Sequence, residues 1–373
     1  MAPSIRLGKI FGIEIGANWS LVFIFVLIAW TLATGILPAD VPNQPSGSYW
    51  IAGAAGALAF YACLLAHEMA HALVARRSGV RVAGITLWLF GGVSRLDGEP
   101  KSAGAEALIT IVGPITSFVV AGIALGLSFA TGTAPLVSDV FAWLALVNAM
   151  LGVFNLVPAF PLDGGRLLAA IFWWRQGSRR QGVHSAVRIG RWIAYLMIAL
   201  GVAGLFTGSV INGVWLAFIG WFLLSAGASE ESGVAIKDAL KSVPVSAAMT
   251  SPVITIPDWI TVEQFLENVA PGHQFTTYPV HDPSGRLTGV VRLADLVKIG
   301  GAERSTQRLS TVARPIGDVP TSRPDEDLSA LVERIGSALE HRVLVFDKEE
   351  LVGIVSPVDI ARLLTVRQAV GSR

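Results

Sequence analysis

The sequence predicts a polytopic α-helical membrane protein of six transmembrane helices, with a membrane-associated β-hairpin and a C-terminal soluble α/β region. Of the 373 residues, 53% are hydrophobic and only 15% are charged, and the mean hydropathy is +0.60. This composition is too apolar for an ordinary soluble domain. Apolar segments long enough to cross a bilayer recur until about residue 230, where the composition becomes that of a soluble protein.

The spans come first along the chain, because a helix needs roughly 20 apolar residues to cross the hydrocarbon core. Six segments meet this requirement: 17–37, 49–75, 106–130, 137–157, 190–207 and 211–229. All lysines and arginines before residue 231 lie at 6–9, 76–101 or 166–191, so positive charge marks every second connection. The positive-inside rule therefore predicts a multi-pass protein of the cell membrane with both termini cytoplasmic.

A shorter apolar segment at 80–98 is too rich in glycine and β-branched residues to be a further span. We interpret it as a membrane-dipping β-hairpin that turns at Gly91 and Gly92. A strand edge at membrane depth is tolerated where it lines a cavity or pairs with another chain. We therefore expect an extended substrate to pair with this hairpin.

The soluble region contains an internal duplication. Residues 277–299 and 341–364 share a strand-turn-strand-helix pattern, with Gly289 and Gly353 at equivalent positions. Helical stretches precede both copies, which predicts a small α/β unit built from two halves. The predicted domains are residues 1–230, 231–304 and 305–373.

The second span contains the motif HEMAH, formed by His67, Glu68 and His71 with two intervening residues. Histidines at positions i and i+4 lie on one helix face and can share a metal ion, while the glutamate can act as a base on metal-bound water. The alternative is a polar patch packed between helices. Ionisable groups inside a span are costly and usually functional, which favours the metal site.

A catalytic zinc site usually has three protein ligands and one open position, so a third ligand is required. The best-placed acidic residue is Asp163, in the segment NLVPAFPLDGGR, where two prolines break the fourth span and a Gly-Gly pair permits a turn. We predict that Asp163 projects inward from an unwound stretch, with a helix-end cap as the alternative. Asn155 either binds a substrate carbonyl or oxyanion, or ties adjacent helices together.

Other function classes fit less well. A zinc or ion transporter with cytosolic regulatory modules would also place ionisable residues in spans, but it gives no reason for Glu68 between two histidines. A catalytically inactive membrane scaffold is a third class. It fits less well because all four candidate catalytic and metal-ligating residues are present, namely His67, Glu68, His71 and Asp163. The formal net charge of +1 gives no indication of a nucleic-acid partner.

The HExxH motif, the Gly-Gly hairpin and the N-x-x-P-x-x-P-L-D-G-G motif together resemble the site-2 protease family of membrane zinc proteases. The resemblance implies His67, His71 and Asp163 as ligands of one zinc ion per chain, Glu68 as general base and Asn155 as a substrate-positioning residue. It also implies regulated intramembrane proteolysis, in which a single-span membrane protein such as an anti-sigma factor is cleaved within the lipid bilayer.

The C-terminal duplication resembles a pair of cystathionine-β-synthase-type (CBS) modules, which bind adenine nucleotides in related proteins. The ribose-contacting pattern of that family, G-x-x-[S/T]-x-x-D, is intact at Gly353, Ser356 and Asp359. In the first half, Arg292 replaces the hydroxyl residue three positions before Asp295, where an arginine could instead meet a phosphate. The resemblance implies ATP or AMP as a regulatory ligand and a homodimer through the CBS modules. A folding and dimerising module without a ligand is the alternative.

Overall fold

The computed structural model describes residues 5–88, 91–273, 275–335 and 342–371. The chain divides into two units, Met1–Ala235 and Ile236–Arg373, and each has its own hydrophobic core. The domain limits that the sequence predicts, after residues 230 and 304, stay predictions.

Six helical segments among the described residues are long and apolar enough to cross a membrane. They are Ser20–Asp40, Ser46–Arg77, Ala103–Ala130, Pro135–Asn155, Arg179–Phe206 and Val210–Leu240. Each overlaps one predicted segment, so the prediction of a multi-pass helical membrane protein is confirmed. Large apolar side chains such as Trp30, Phe129 and Ile211 are exposed on these helices, as contact with lipid requires.

The first span combines α1 (Ser20–Thr31), a π-helical segment (Leu32–Ile36) and α2 (Leu37–Asp40). The next three spans are α3 (Ser46–Arg77), α4 (Ala103–Ala130) and α5 (Pro135–Asn155). A shorter helix and the last two spans follow, namely α6 (Asp163–Gln176), α7 (Arg179–Phe206) and α8 (Val210–Leu240).

One four-stranded sheet belongs to the unit Met1–Ala235, the membrane unit. Its strand order is β1 (Ile5–Ile10), β2 (Ile13–Ala17), β3 (Arg81–Trp88) and β4 (Gly91–Asp97). β2 and β3 are parallel, and the other two pairs are antiparallel. β1 and β4 are therefore the two edge strands.

The predicted hairpin at 80–98 corresponds to β3 and β4, but the predicted turn is wrong. Gly91 pairs with Trp88 and Gly92 pairs with Leu87, so both glycines already belong to the ladder of β4. Residues 89 and 90, which connect the two strands, lie outside the described residues.

The N-terminal arm, to which the sequence analysis assigned no structure, forms β1 and β2. Phe11 and Gly12 join them with φ values of +50° and +79°, the left-handed conformations typical of a two-residue hairpin turn. The inward side chains of β2 and β3 pack on α3, the helix that carries the HEMAH motif. This cluster comprises Ile13, Ile15, Leu64, Met69, Ala72, Ile85 and Leu87.

The second unit contains two similar sheets. The first comprises β5 (Ile256–Pro257), β6 (Thr277–His281), β7 (Leu287–Arg292) and β8 (Arg314–Pro315), and the second comprises β9 (Thr321–Ser322), β10 (Val343–Asp347) and β11 (Glu350–Val355). Each combines a short parallel pair with an antiparallel hairpin, as the predicted duplication requires. The helices are α9 (Val262–Asn268), α10 (Leu293–Leu296), α11 (Gly301–Arg304), α12 (Leu309–Val312), α13 (Leu328–Ile335) and α14 (Pro357–Gly371).

Candidate metal centre

The two histidines of the HEMAH motif lie one turn apart on α3 and face the same point. Their Nε2 atoms are 3.1 Å apart. His67 is only 3% exposed, so neighbouring helices almost completely cover its imidazole. The i, i+4 spacing thus presents two nitrogen ligands to one position inside the membrane unit.

The third converging group is the carboxylate of Asp163. Its Oδ2 atom lies 3.4 Å from Nε2 of His67 and 3.2 Å from Nε2 of His71. This oxygen is buried and has no hydrogen-bond partner among the described residues, which is costly unless a cation lies beside it. A tetrahedral zinc ion with ligands at about 2.0–2.1 Å would hold them about 3.3–3.4 Å apart, so these residues fit zinc.

The sequence predicts that Asp163 lies in an unwound stretch. This prediction is wrong, because Asp163 is the first residue of α6. The non-helical segment is 156–162, between α5 and α6. No side-chain hydrogen bond caps this helix terminus, so capping does not account for the position of Asp163. The positive end of the helix dipole instead favours a negatively charged carboxylate there.

The Gly-Gly pair after Asp163 serves close packing and does not form the predicted turn. A Cβ atom added to Gly164 would lie 2.3 Å from the carbonyl oxygen of Leu156, and one added to Gly165 would lie 2.6 Å from the carbonyl carbon of Ala159. Real Cβ atoms do not approach backbone so closely. The first turn of α6 can therefore lie against the 156–162 segment only with glycine at both positions.

The opposite nitrogens of both imidazoles contact α4. Nδ1 of His71 lies 2.6 Å from the carbonyl oxygen of Ile109, and Nδ1 of His67 lies 2.8 Å from Oγ of Ser117. A histidine that donates its Nδ1 hydrogen keeps Nε2 available for a metal. Neither contact was predicted from the sequence. The available signal was the small and polar residues of GPITS in the third span.

Gly113 lies between these two contacts on the same face of α4. A Cβ atom at this position would be 2.1 Å from Nε2 of His71 and 2.7 Å from Nε2 of His67. The backbone of α4 thus approaches the metal centre so closely that any side chain would displace the imidazoles.

The remaining residue of the motif, Glu68, lies against the edge strand β4. A Cβ atom added to Gly92 would be 2.3 Å from Cγ of Glu68 and 3.0 Å from its Oε1. The absence of a side chain at Gly92 therefore makes room for the glutamate beside the strand. This contact, like that of Gly113, was not predicted from the sequence.

Substituting alanine for Gly92 should lower peptide cleavage by about 100-fold, the effect typical of a misplaced catalytic group. The added methyl group must push Glu68 aside, whereas the side chains of His67, His71 and Asp163 have no reason to move. Cleavage and zinc content of the variant and the wild type are the measurements. A wild-type rate of cleavage by Gly92→Ala would contradict the close packing of Gly92 against Glu68. Gly122→Ala is the control, because a Cβ atom at Gly122 meets nothing within 4 Å.

Two different protein families match the N-terminal and the C-terminal parts of the chain. Residues 55–136 and 131–200 match the model of peptidase family M50, and residues 245–301 and 310–366 match the CBS domain. Rip3 from Mycobacterium tuberculosis, named as a zinc metalloprotease, is 44% identical over 370 residues, covering 98% of this chain and 94% of Rip3. The chain belongs to peptidase family M50.

Two solved structures are also similar. The site-2 protease from Methanocaldococcus jannaschii is 29% identical and covers 61% of this chain and 94% of that chain, with a TM-score of 0.40. The CBS domain of a bacterial CNNM/CorC family Mg²⁺ transporter in complex with ATP is 21% identical and covers 37% of this chain and 97% of that chain, with a TM-score of 0.32.

Membership of the M50 family confirms the enzyme class predicted from the sequence. This M50 protein is a site-2-type zinc metalloprotease with a CBS pair, and neither a transporter nor an inactive scaffold is needed to explain its ionisable residues. Asn155, the last residue of α5, is half-buried immediately before the 156–162 segment. Its role in the M50 reaction stays a prediction.

The second CBS half of this M50 protein brings two of its predicted ligand residues together. Ser356 donates its hydroxyl hydrogen to Oδ2 of Asp359 at 2.5 Å, and Thr250 donates to Oδ1 at 2.8 Å. These three residues line a cavity of about 240 Å³, which Arg342 also borders. Gly353 instead packs against Met249, whose Sδ would lie 2.4 Å from an added Cβ atom.

The first CBS half differs, as the sequence indicates. Nε of Arg292 donates to Oδ2 of Asp295 at 2.6 Å, and this hydrogen bond holds the pKa of Asp295 below its ordinary value. The pair borders a smaller cavity of about 130 Å³, together with Arg314 and Arg342. The carboxylate of Asp295 therefore forms a short hydrogen bond with an arginine. The carboxylate of Asp359 instead accepts from two hydroxyl groups and the backbone N–H of Ser356, and its arginine neighbour, Arg362, lies 3.8 Å away.

Proposed function

We propose that this M50 protease hydrolyses peptide bonds within the transmembrane segments of single-span membrane proteins, and so performs regulated intramembrane proteolysis. The observation that carries the proposal is the convergence of two imidazole nitrogens and one carboxylate oxygen at 3.1–3.4 Å from one another. These atoms lie inside the membrane unit, with Glu68 adjacent on α3. An anti-sigma factor is one substrate of the required type.

His67, His71 and Asp163 would hold one zinc ion per chain. Zinc in such a site acts as a Lewis acid, which polarises the scissile carbonyl and makes water more acidic. Glu68 then accepts a proton from the attacking water and returns it to the leaving amine, so hydrolysis requires no covalent intermediate. Asn155 would donate a hydrogen bond to the substrate carbonyl from the end of α5.

The substrate must be extended before it can be cleaved, because the carbonyl groups of a transmembrane helix are hydrogen-bonded and shielded. β4 is an edge strand, and Gly92 on this strand lies against Glu68. A substrate strand that pairs with β4 would thus bring its backbone close to the general base. The basic connections of the sequence support cytoplasmic termini for this arrangement.

Metal removal tests the proposed function directly. Purified protein in detergent should contain one zinc ion per chain and cleave a transmembrane test substrate. A chelator should abolish cleavage, and added zinc should restore it. The reason is that the three ligands would hold the ion that makes the attacking water acidic enough for Glu68 to take its proton. Cleavage by metal-free protein, or absence of cleavage by the zinc-loaded protein in both detergent and lipid bilayers, would argue against the proposal.

We propose in addition that the cavity beside Ser356 and Asp359 binds an adenine nucleotide and regulates the protease, with the CBS modules also forming a homodimer. The support for the ligand is a carboxylate that lines a cavity together with two hydroxyl groups bonded to it, an arrangement that suits ribose hydroxyls. Arg342 could meet the phosphates.

Replacing Asp359 with asparagine should weaken ATP or AMP binding by about 10-fold to 100-fold, the value of a hydrogen bond to a charged group. Asparagine keeps a side-chain oxygen that can accept from the backbone N–H of Ser356, as Asp359 does at 2.9 Å, so the fold should be retained. Calorimetry on the full chain is the measurement. Asp295→Asn is the matched control and should change affinity less, because Arg292 already occupies its carboxylate.

A further inference from the structure

Ser117 differs from the threonine beside it, Thr116, in the partner of its hydroxyl group. A serine or threonine in a helix commonly donates to the carbonyl oxygen four residues earlier. Thr116 does so, with its Oγ1 atom 2.8 Å from the carbonyl oxygen of Val112, and Thr31 and Thr131 do the same. Ser117 lies next to Thr116, but its Oγ is directed at Nδ1 of His67, at 2.8 Å.

Burial makes this contact more important. Ser117 is 1% exposed and His67 is 3% exposed, so water cannot easily replace either partner. The hydrogen bond between Ser117 and Nδ1 of His67 also fixes the orientation of the His67 ring. A hydrogen bond to the distal nitrogen of a metal-ligating histidine fixes both its tautomer and its ring angle.

The Nδ1 atoms of the two histidines have different hydrogen-bond partners. His71 donates its Nδ1 hydrogen to a backbone carbonyl, that of Ile109, which accepts and cannot donate. The Nε2 atom of neutral His71 therefore carries the lone pair. Ser117 can either accept from His67 or donate to it, and only the first state leaves Nε2 of His67 free for zinc.

We propose that Ser117 is a positioning residue for the metal centre, which accepts the Nδ1 hydrogen of His67 and thereby sets the affinity and geometry of the zinc site. This inference rests on the proposed zinc ligation by His67, His71 and Asp163. The stripe Ile109, Gly113 and Ser117, spaced by four residues along α4, then serves as the support of both imidazoles. Of the two hydrogen bonds, that of Ser117 can be removed by substituting a side chain.

The test is zinc affinity of the full-length protein in detergent, measured by competition with a chromophoric chelator. Ser117→Ala should bind zinc about 10-fold to 100-fold more weakly than the wild type, the usual effect of losing the outer partner of a ligating histidine. Ser128→Ala is the matched control, because Ser128 is a buried serine of α4 that bonds to Ser138, away from the metal centre. Its zinc affinity should be unchanged.

Cobalt substitution provides a second readout that a purely structural role of Ser117 would not change. The ligand-field absorption bands of the cobalt-loaded protein should shift in Ser117→Ala and not in Ser128→Ala, because the ring of His67 is no longer held. Wild-type zinc affinity and an unshifted cobalt spectrum in Ser117→Ala would overturn the proposal. If the wild type bound neither metal, the proposed zinc function itself would fail, and this outcome is distinct from an effect of Ser117.

Discussion

Replacing Glu68 with glutamine should reduce cleavage of a transmembrane substrate by about 10²-fold to 10⁴-fold, the usual contribution of a general base. Glutamine has nearly the same shape and fits beside Gly92, but it cannot accept the proton of the attacking water. The three proposed ligands are untouched. We therefore expect one zinc ion per chain in both the variant and the wild type.

Cleavage rate and zinc content must be measured on the same preparations, because either alone is ambiguous. Glu14→Gln provides the control, since Glu14 is a partly exposed residue of β2 that pairs with Lys9 on the protein surface. Substantial cleavage by Glu68→Gln would exclude Glu68 as the base. Loss of zinc along with activity would instead indicate that Glu68 is needed to form the metal centre.

Substituting alanine for Gly113 should remove zinc from the protein and reduce cleavage by more than about 100-fold, the upper effect of disturbing the surroundings of a metal ligand. The new Cβ atom would lie 2.1 Å from Nε2 of His71 and 2.7 Å from Nε2 of His67. Because α4 also packs on α3 and α5, the simplest relief is rotation of both imidazoles away from Asp163.

Gly122→Ala is the matched control for this variant. It makes the same chemical change on the same helix, but a Cβ atom at Gly122 would meet nothing within 4 Å. Zinc content by elemental analysis distinguishes the two. A Gly113→Ala protein that retained a full complement of zinc and wild-type cleavage would show that the imidazoles do not lie as close to α4 as described.

Much of the membrane unit could be predicted because its spans depend on the hydropathy and charge of consecutive residues. The six spans follow from runs of apolar residues, and the spacing of His67 and His71 directly implies one helix face. Asp163 was identified as a candidate from its position, because it is the best-placed acidic residue in the proline-broken segment after the fourth span. Its place at the start of α6 was not predicted, because Gly164 and Gly165 were interpreted as turn residues.

The remainder could not be predicted because it depends on contacts between distant segments. Nothing near Gly113 or Gly92 in the sequence indicates that histidine or glutamate side chains fill the space above these glycines. Ser117 resembles any small polar residue of a transmembrane helix. The strands β1 and β2 were missed because their alternating apolar residues are few and lie next to the first span.

The parallel pairing of β2 with β3 has a consequence for the order of assembly during synthesis. β2 leaves the ribosome before α1 and α3, whereas its partner strand leaves after them. A parallel pair always requires such a crossover, and here the crossover consists of two membrane spans. The backbone groups of β2 that face β1 can pair at once, whereas those that face β3 have no strand partner until both spans have been synthesised. β4, the strand beside Glu68, pairs with β3 and therefore joins this sheet only after both spans have been synthesised.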